Sequence, residues 1–505
     1  MVLPDPLPLV PVPRSAIAEA GRMPLTGETR ILGDAAAAPH LIDGIARRTG
    51  IRPSSATDEP RAGDVLLRLD PAAGPAEGYR LRVGDVAEVI GADAAGLFYG
   101  TQTLLQLLRE RDEGWGWQHV RIEDAPRFAY RGMMLDVARH FFPVDEVKTI
   151  IDRAAALKLN HLHLHLSDDQ GWRLHIDSWP LLSEKSSVTS ANGDAGGCYS
   201  KDDYRAIVAH AASRHITIVP EIDLPGHTHA IGLAYREIVE EPVMNDHLLS
   251  DATRLGHALP VAGEPYIGWG VGHFSVRIRE ERTWDFVRDV LTEIAELTPG
   301  PYLHIGGDES LGTSEADFAY FMERATALVT ELGKSPVAWH EAGAVEGIAE
   351  GTVGQYWGLT SPDGAHAAQA AHFVARGGRL ILSPADAVYL DMKYDEAFPL
   401  GLSWAGVVDV HAASDWEPGE LLPVPEESIL GIEAPLWTET VRSLDDADRL
   451  THPRLAAVAE LAWTAADAAE RNSESLRHRI GRQAPLWQSD GIRYHPTPEI
   501  PWSTR

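Results

Sequence analysis

Two adjacent acids at the end of a strand-like run are the first feature of this chain that could do chemistry. Leu303-His-Ile-Gly-Gly-Asp-Glu309 closes on Asp308 and Glu309, and its paired glycines allow a tight turn that brings backbone close to a ligand. Like charges so near resist double ionisation, so one carboxyl is expected to keep its proton at neutral pH. A protonated carboxyl beside an ionised one is the combination that glycoside cleavage uses. The same acids could instead be the N-cap and first-turn acid of the following helix. Ordinary glycosidases hold their two carboxylates on different strands, leaving space for the attacking group. Adjacent residues cannot easily do that. Either a partner such as Glu439 or Asp391 comes from elsewhere, or the substrate supplies the nucleophile and the second acid only steers it.

Three further groups carry potential chemistry. Trp339, Trp357, Trp404 and Trp437 fall at or after expected strand ends, where indoles could stack on the apolar faces of a sugar or simply pack the barrel top. His161-Leu-His-Leu-His165 precedes Asp168-Asp169. In a strand these histidines share one face, able to hold a divalent metal with help from His227 or Asp308. No complete ligand array follows from the spacing, so hydrogen-bonded filling of the interior is the preferred reading. Arg139 and Glu439 follow the first and last strand-like runs. They could grip ring hydroxyls, with the Arg as a planar fork, or form a salt bridge closing the barrel.

The elements that must position these groups follow from periodicity. Eight strand-like runs begin near Gly132, His161, Ile216, Tyr302, Val337, Val353, Leu380 and Ile429. Between them lie helical stretches, notably 144–158, 201–213, 283–297 and 315–332, with weak helicity after the fifth and seventh runs. Alternating strand and helix of this number predict an α/β (β/α)8 TIM barrel. Its chemistry belongs at the C-terminal strand ends, where the acids, histidines and tryptophans cluster. Residues 1–125 read as a smaller α+β support domain, with strands near 64–69 and 79–83 and an apolar-striped helix over 95–109. Residues 126–505 read as the barrel with a C-terminal helical segment.

Composition narrows the function. The 505 residues carry 44 Lys+Arg against 74 Asp+Glu, a formal charge of −30, which disfavours nucleic acid and anionic membrane partners. A single cysteine, Cys198, excludes an internal disulfide framework and has no assigned role. No apolar run is long enough to span a bilayer. The Pro-broken stretch Met1–Arg14 lacks a basic start and does not read as a signal peptide. A cytoplasmic protein is expected, or an exported one whose leader has been removed.

Several long motifs occur together in order: Arg131-Gly-Met-Met-Leu-Asp-Val-Ala-Arg-His-Phe-Phe142, His163-Leu-His-Leu-Ser-Asp-Asp-Gln-Gly-Trp-Arg173, Val219-Pro-Glu-Ile-Asp-Leu-Pro-Gly-His227, His304-Ile-Gly-Gly-Asp-Glu309, Gln355-Tyr-Trp-Gly358, Leu382-Ser-Pro-Ala-Asp-Ala-Val-Tyr-Leu-Asp391 and Ala434-Pro-Leu-Trp-Thr-Glu439. They resemble the family 20 glycoside hydrolases, the β-N-acetylhexosaminidases, across about 131–465. The resemblance implies hydrolysis of terminal non-reducing β-linked N-acetylglucosamine or N-acetylgalactosamine, a small carbohydrate substrate, with retention. It implies attack by the substrate's own 2-acetamido oxygen through an oxazolinium intermediate, with no metal or other cofactor. By the same resemblance Glu309 matches the general acid/base and Asp308 the residue that orients the acetamido N–H. Tyr389 matches the acetamido-oxygen contact, and Trp339, Trp357 and Trp437 the aromatic pocket. Arg139, Asp391 and Glu439 match hydroxyl contacts, Trp404 an outer wall, and Asp168 and His227 supports of Glu309. Residues 238–282 depart from the pattern and are expected to border the leaving-group side.

Overall fold

A computed structural model describes residues 7–503. The first six positions, on which the reading of Met1–Arg14 partly rests, lie outside the described residues.

The N-terminal part is an eight-stranded mixed sheet with two helices. Its strands include Val65–Leu69 and Tyr79–Val83, where alternation predicts them. The second helix, Ala94–Leu107, begins at Asp93, whose carboxylate accepts from Gly96 N at 2.8 Å as an N-cap. It buries Leu97, Phe98, Tyr99, Leu104 and Leu105 against the sheet, each large side chain contributing roughly 1.5–3 kcal/mol.

Eight parallel strands close the barrel: Tyr130–Asp136, His161–His165, Thr217–Glu221, Tyr302–His304, Ser335–Trp339, Val353–Tyr356, Leu380–Leu382 and Ile429–Leu436. All eight expected runs are present in order. The last pairs with the first, Gly431 opposite Tyr130 through Leu436 opposite Leu135. The expected crossover helices occupy Val144–Ala156, Lys201–Ala212, Glu281–Leu297 and Glu315–Glu331. Their starts are chemical: Ser200 and Asp203 form a capping box, and Ser314 caps Asp317 N. Helix Val144–Ala156 turns Val147, Ile150, Ile151 and Ala154 inward, the helical stripe expected for a barrel coat.

The weak connections also have a cause. After the fifth strand there is only a 3₁₀ turn, His340–Ala344, and after the seventh a four-residue helix, Ala385–Val388. The chain from 389 to 428 contains Pro399, Pro418, Pro423 and Pro425 with Gly401, Gly406 and Gly419, which oppose helix. Buried Arg454 organises it instead, donating from Nη1 to Met392 O at 2.6 Å and Val408 O at 2.8 Å, and from Nη2 to Leu390 O at 2.5 Å. Elements not anticipated from sequence include helix Gly364–Ala375 after the sixth strand and helix Asp246–Leu255 within the 238–282 loop.

Sheet and barrel meet through buried polar pairs. Lys158 Nζ donates to Asp124 Oδ2 and to Tyr79 OH, both at 2.9 Å, and Trp463 Nε1 donates to Asp124 Oδ1 at 3.0 Å. No helix among the described residues is long and apolar enough to cross a membrane.

Candidate active site

The fourth barrel strand delivers the acid pair. Gly306 and Gly307 adopt φ of +70° and +100°, and a Cβ on Gly306 would stand 1.8 Å from Asp223 Oδ1. Only glycine fits this close approach. Gly307 N donates to Asp223 Oδ1 at 3.2 Å. The turn leaves Glu309 itself at φ +41°, a left-handed conformation costing a side-chain-bearing residue about 1–2 kcal/mol. Strain of this kind persists where surrounding contacts over-determine the backbone.

Glu309 lies close to His227, whose Nε2 is 3.6 Å from Glu309 Oε2 and 3.8 Å from Asp308 Oδ2. On its other side His227 Nδ1 meets Asp168 Oδ1 at 3.2 Å. Asp168 Oδ2 accepts from Arg139 Nη2 at 2.8 Å and pairs with His165 Nε2 at 2.7 Å. His227, Asp168 and Arg139 thus form a chain of contacts leading away from Glu309. Asp168 sits in a short hairpin, Ser167–Asp168 with Gly171–Trp172, rather than at a plain strand end.

Burial pushes the Glu309 carboxyl up to about 7, with the Asp308 charge adding and His227 opposing. Burial resists charging His227, but Asp168, Asp223 and Asp308 hold its imidazolium well above the usual histidine range. Burial and neighbouring Asp308 also raise Asp223 well above the carboxylate range. A carboxyl poised near neutrality beside a second acid can give and take a proton at physiological pH.

The tryptophans divide into floor, wall and rim. Trp339, expected at the rim, is wholly buried, and its Nε1 donates to Glu221 Oε1 at 2.9 Å. It packs against the interior histidines, 4.9 Å from His304 and 6.1 Å from His163 between ring centroids, and so forms the floor. Trp437 stands 6.0 Å from Trp339 and 6.3 Å from Tyr389 between ring centroids. Trp357 donates to Glu341 Oε2 at 3.0 Å. Trp404 is 54% exposed, with its ring 5.9 Å from Trp357 and 5.8 Å from Tyr389, and is the outer wall.

Arg139 does not pair with Glu439 as the barrel-closing alternative supposed. Its partner is Asp168, and its guanidinium lies 4.7 Å above the Trp437 ring. Asp136 aims it: Oδ1 accepts from Ala138 N and Arg139 N, while Oδ2 accepts from Thr438 N at 3.1 Å, tying the first strand to the last. Glu439 Oε2, both Asp391 oxygens and Asp308 Oδ1 are buried with no hydrogen-bond partner in the protein. Each such atom costs about 1–3 kcal/mol unless a ligand satisfies it. Burial raises Asp391 well above the usual carboxylate range, with Glu439 adding, so it can donate to as well as accept from hydroxyls. Burial also raises Glu439, with Arg139 opposing.

The histidine strand fills the barrel interior. His163 Nδ1 meets Glu433 Oε1 at 2.9 Å and its Nε2 is 3.0 Å from Glu221 Oε2. His165 Nδ1 bonds Glu221. His161 stacks on Tyr130 with 3.9 Å between ring centres. Groups such as His163, Glu221 and His304 are close enough to share an ion, and both His163 nitrogens and His304 Nδ1 face carboxylates. Cys198 is partly buried, its thiol pushed up to about 12 by burial, and its Sγ donates to Tyr199 O at 3.7 Å.

Sequence reasoning missed Glu341 and Arg454. Glu341 follows the fifth strand by two residues, at a strand C-terminal end like the acids that were singled out. Arg454 carried no local signal, because its role depends on carbonyls some 46 to 64 residues away.

This is a (β/α)8 barrel with a near-neutral acid, a second carboxylate and an aromatic cup at its C-terminal face, the equipment of a retaining glycosidase. The profile of the glycosyl hydrolase family 20 catalytic domain matches residues 128–466, and that of the family's domain 2 matches 7–125. The chain belongs to glycosyl hydrolase family 20 and is a glycoside hydrolase of the β-N-acetylhexosaminidase type. A β-N-acetylhexosaminidase of Cellulomonas fimi is 41% identical over 449 residues, covering 87% of this chain and 84% of that protein. The solved structure of a family 20 β-N-acetylglucosaminidase superposes with a TM-score of 0.91 at 51% identity, covering 99% of this chain and 100% of that one. Streptomyces plicatus N-acetyl-β-hexosaminidase in complex with Thio-NAglucal is also similar, with a TM-score of 0.89 and 44% identity over 100% of this chain and 99% of that one.

Proposed function

We propose that Glu309 and Asp308 carry out substrate-assisted removal of terminal β-linked N-acetylhexosamine in this chain. The observation that carries the assignment is the adjacency of a near-neutral Glu309 to Asp308 over an aromatic floor. No second carboxylate is needed as nucleophile, because the acetamido oxygen attacks C1. Glu309 protonates the departing oxygen, then as carboxylate takes a proton from water. Asp308 accepts the acetamido N–H and stabilises the positive charge that develops there. Tyr389 donates to the acetamido oxygen, while Trp339, Trp357 and Trp437 exclude water around it. Arg139, Asp391 and Glu439 hold ring hydroxyls, and Trp404 covers the outer face. Asp168 and His227 position Glu309 and tune its proton affinity. The unit over residues 1–125 acts as a support, fixed to the barrel over 126–505 by the Lys158–Asp124 contacts.

The test is initial rates on the 4-nitrophenyl β-glycosides of N-acetylglucosamine and glucose, with chelator present. Cleavage of the acetamido sugar alone is expected. Equal rates on both would remove the role given to Asp308, and activity lost to chelator would revive a metal at His163 and His165. Glu309→Gln should abolish turnover of a natural disaccharide.

A further inference from the structure

Apolar side chains standing in solvent are unevenly distributed. Thirteen large ones are exposed among the described residues, and all but Ile17 and Leu69 lie on connections leaving the C-terminal ends of barrel strands. Six of them belong to the 238–282 loop. Scattered singly, such residues mean little, whereas grouped at a site mouth they mark a surface that meets something apolar.

One group is continuous with the acid. Leu311, 55% exposed, lies two residues past Glu309, and its N donates to Glu309 O at 2.6 Å. The 238–282 loop packs against it: a Cβ on Gly272 would stand 2.8 Å from Leu311 Cδ1 and 2.9 Å from Glu309 O. Val243 joins from the same loop, 3.4 Å from a Cβ built on Gly312, and is tied down by its N donating to His273 O at 2.8 Å. Exposed Met244 follows it. Leu311 and Val243 thus make an aliphatic lip that begins at the Glu309 backbone, with Met244 next to it in the chain.

Geometry fixes what this lip meets. A general acid must stand at the glycosidic oxygen, so the sugar lies on one side of its carboxyl and the leaving group on the other. The sugar side holds Trp339, Trp437, Tyr389 and the unpartnered oxygens of Asp391 and Glu439. Leu311 and Val243 are not part of that sugar-side set, and they continue from the Glu309 backbone. We propose that this lip is the leaving-group subsite and that it favours β-N-acetylhexosaminides whose aglycone presents an apolar surface next to the glycosidic oxygen. The inference rests on Glu309 being the acid, as assigned above. Microscopic reversibility adds a consequence: the lip should also hold an apolar alcohol against the intermediate. In that step the alcohol oxygen bonds to C1, the bond from C1 to the acetamido oxygen breaks, and the alcohol proton passes to the Glu309 carboxylate.

The test uses methyl, butyl and hexyl β-N-acetylglucosaminides, whose leaving alcohols differ little in acidity. Wild-type kcat/KM should rise about tenfold from methyl to hexyl, a partial return on five buried methylenes. In the Leu311→Ser, Val243→Ser double variant the hexyl-to-methyl ratio should fall to within about twofold of unity. The second measurement is free of leaving-group chemistry: with the 4-nitrophenyl glycoside as common donor, the hexanol-to-methanol trapping ratio should fall about tenfold in the same variant. Inhibition by N-acetylglucosamine reports separately whether the sugar pocket remains formed. A flat wild-type alkyl profile with acetamido selectivity retained would overturn the lip alone, as would ratios unchanged in the double variant. Equal cleavage of N-acetylglucosaminides and glucosides would overturn the functional reading, and the lip with it.

Discussion

Replacing His227 by Asn should move the acid's titration upward, and the structure gives the size. His227 Nε2 stands 3.6 Å from Glu309 Oε2. Unit charges at that distance interact by about 1.2 kcal/mol in a water-like medium and about 4.6 kcal/mol at an effective dielectric of about 20. At about 1.36 kcal/mol per pH unit, this is roughly one to three units. The sign follows from the charges. Burial raises Glu309 to about 7, and the His227 imidazolium opposes that rise by favouring the carboxylate. Without the imidazolium Glu309 holds its proton to higher pH. The alkaline limb of kcat/KM, where the free enzyme loses its acid, should therefore shift from near pH 7 up by about one unit or more. The acid also becomes weaker, so kcat should fall more for a methyl glycoside than for a 4-nitrophenyl glycoside, which needs little protonation. The assay is kcat/KM against pH for both substrates in both proteins. A limb that stays in place or moves down would refute the coupling between His227 and Glu309.

Other perturbations probe separate parts of the molecule. Asp308→Asn should lower kcat on the N-acetylglucosaminide by about 10²–10³, the usual cost of losing one transition-state electrostatic contact; a near-normal kcat would remove its role. Burial and the charge of Asp308 hold the Glu341 carboxyl protonated well above its ordinary range, so Glu341→Gln should keep KM within about threefold, whereas Glu341→Ala frees Trp357 and should raise KM about tenfold. KM values for the two variants decide this. Lys158→Met leaves Asp124 buried without its cation and should cost about 3 kcal/mol or more, read as a lower urea midpoint. Arg454→Met removes donors to three carbonyls of the loop carrying Tyr389 and Asp391. It should raise KM while a smaller thermal shift shows the fold retained.

The strands were legible because a parallel barrel buries both faces of each strand, giving short apolar runs between amphipathic helices. Helix starts were legible because Ser200 and Ser314 signal caps within four residues. Helix Gly364–Ala375 was not, since its Ala-rich sequence carries a diffuse rather than striped pattern. The acid pair, His227 and the tryptophans were legible as residue types at strand ends. That Trp339 is wholly buried while Trp404 is 54% exposed was not, because burial depends on what distant segments pack around each ring. That Arg139 chooses Asp168 over Glu439 was likewise hidden, since both acids were expected near the same barrel end.

The sequence by itself determined the barrel, the order of its strands and the carboxylate pair at Asp308 and Glu309, because periodicity and residue chemistry are local properties. Only the tertiary structure decided which carboxyl sits near neutrality, which histidine faces it and which oxygens stay unpartnered. It also placed an aliphatic lip beside the acid. These are set by burial and by distances of a few ångströms between residues up to hundreds of positions apart, and electrostatic energies at such distances depend on surroundings that no local pattern encodes.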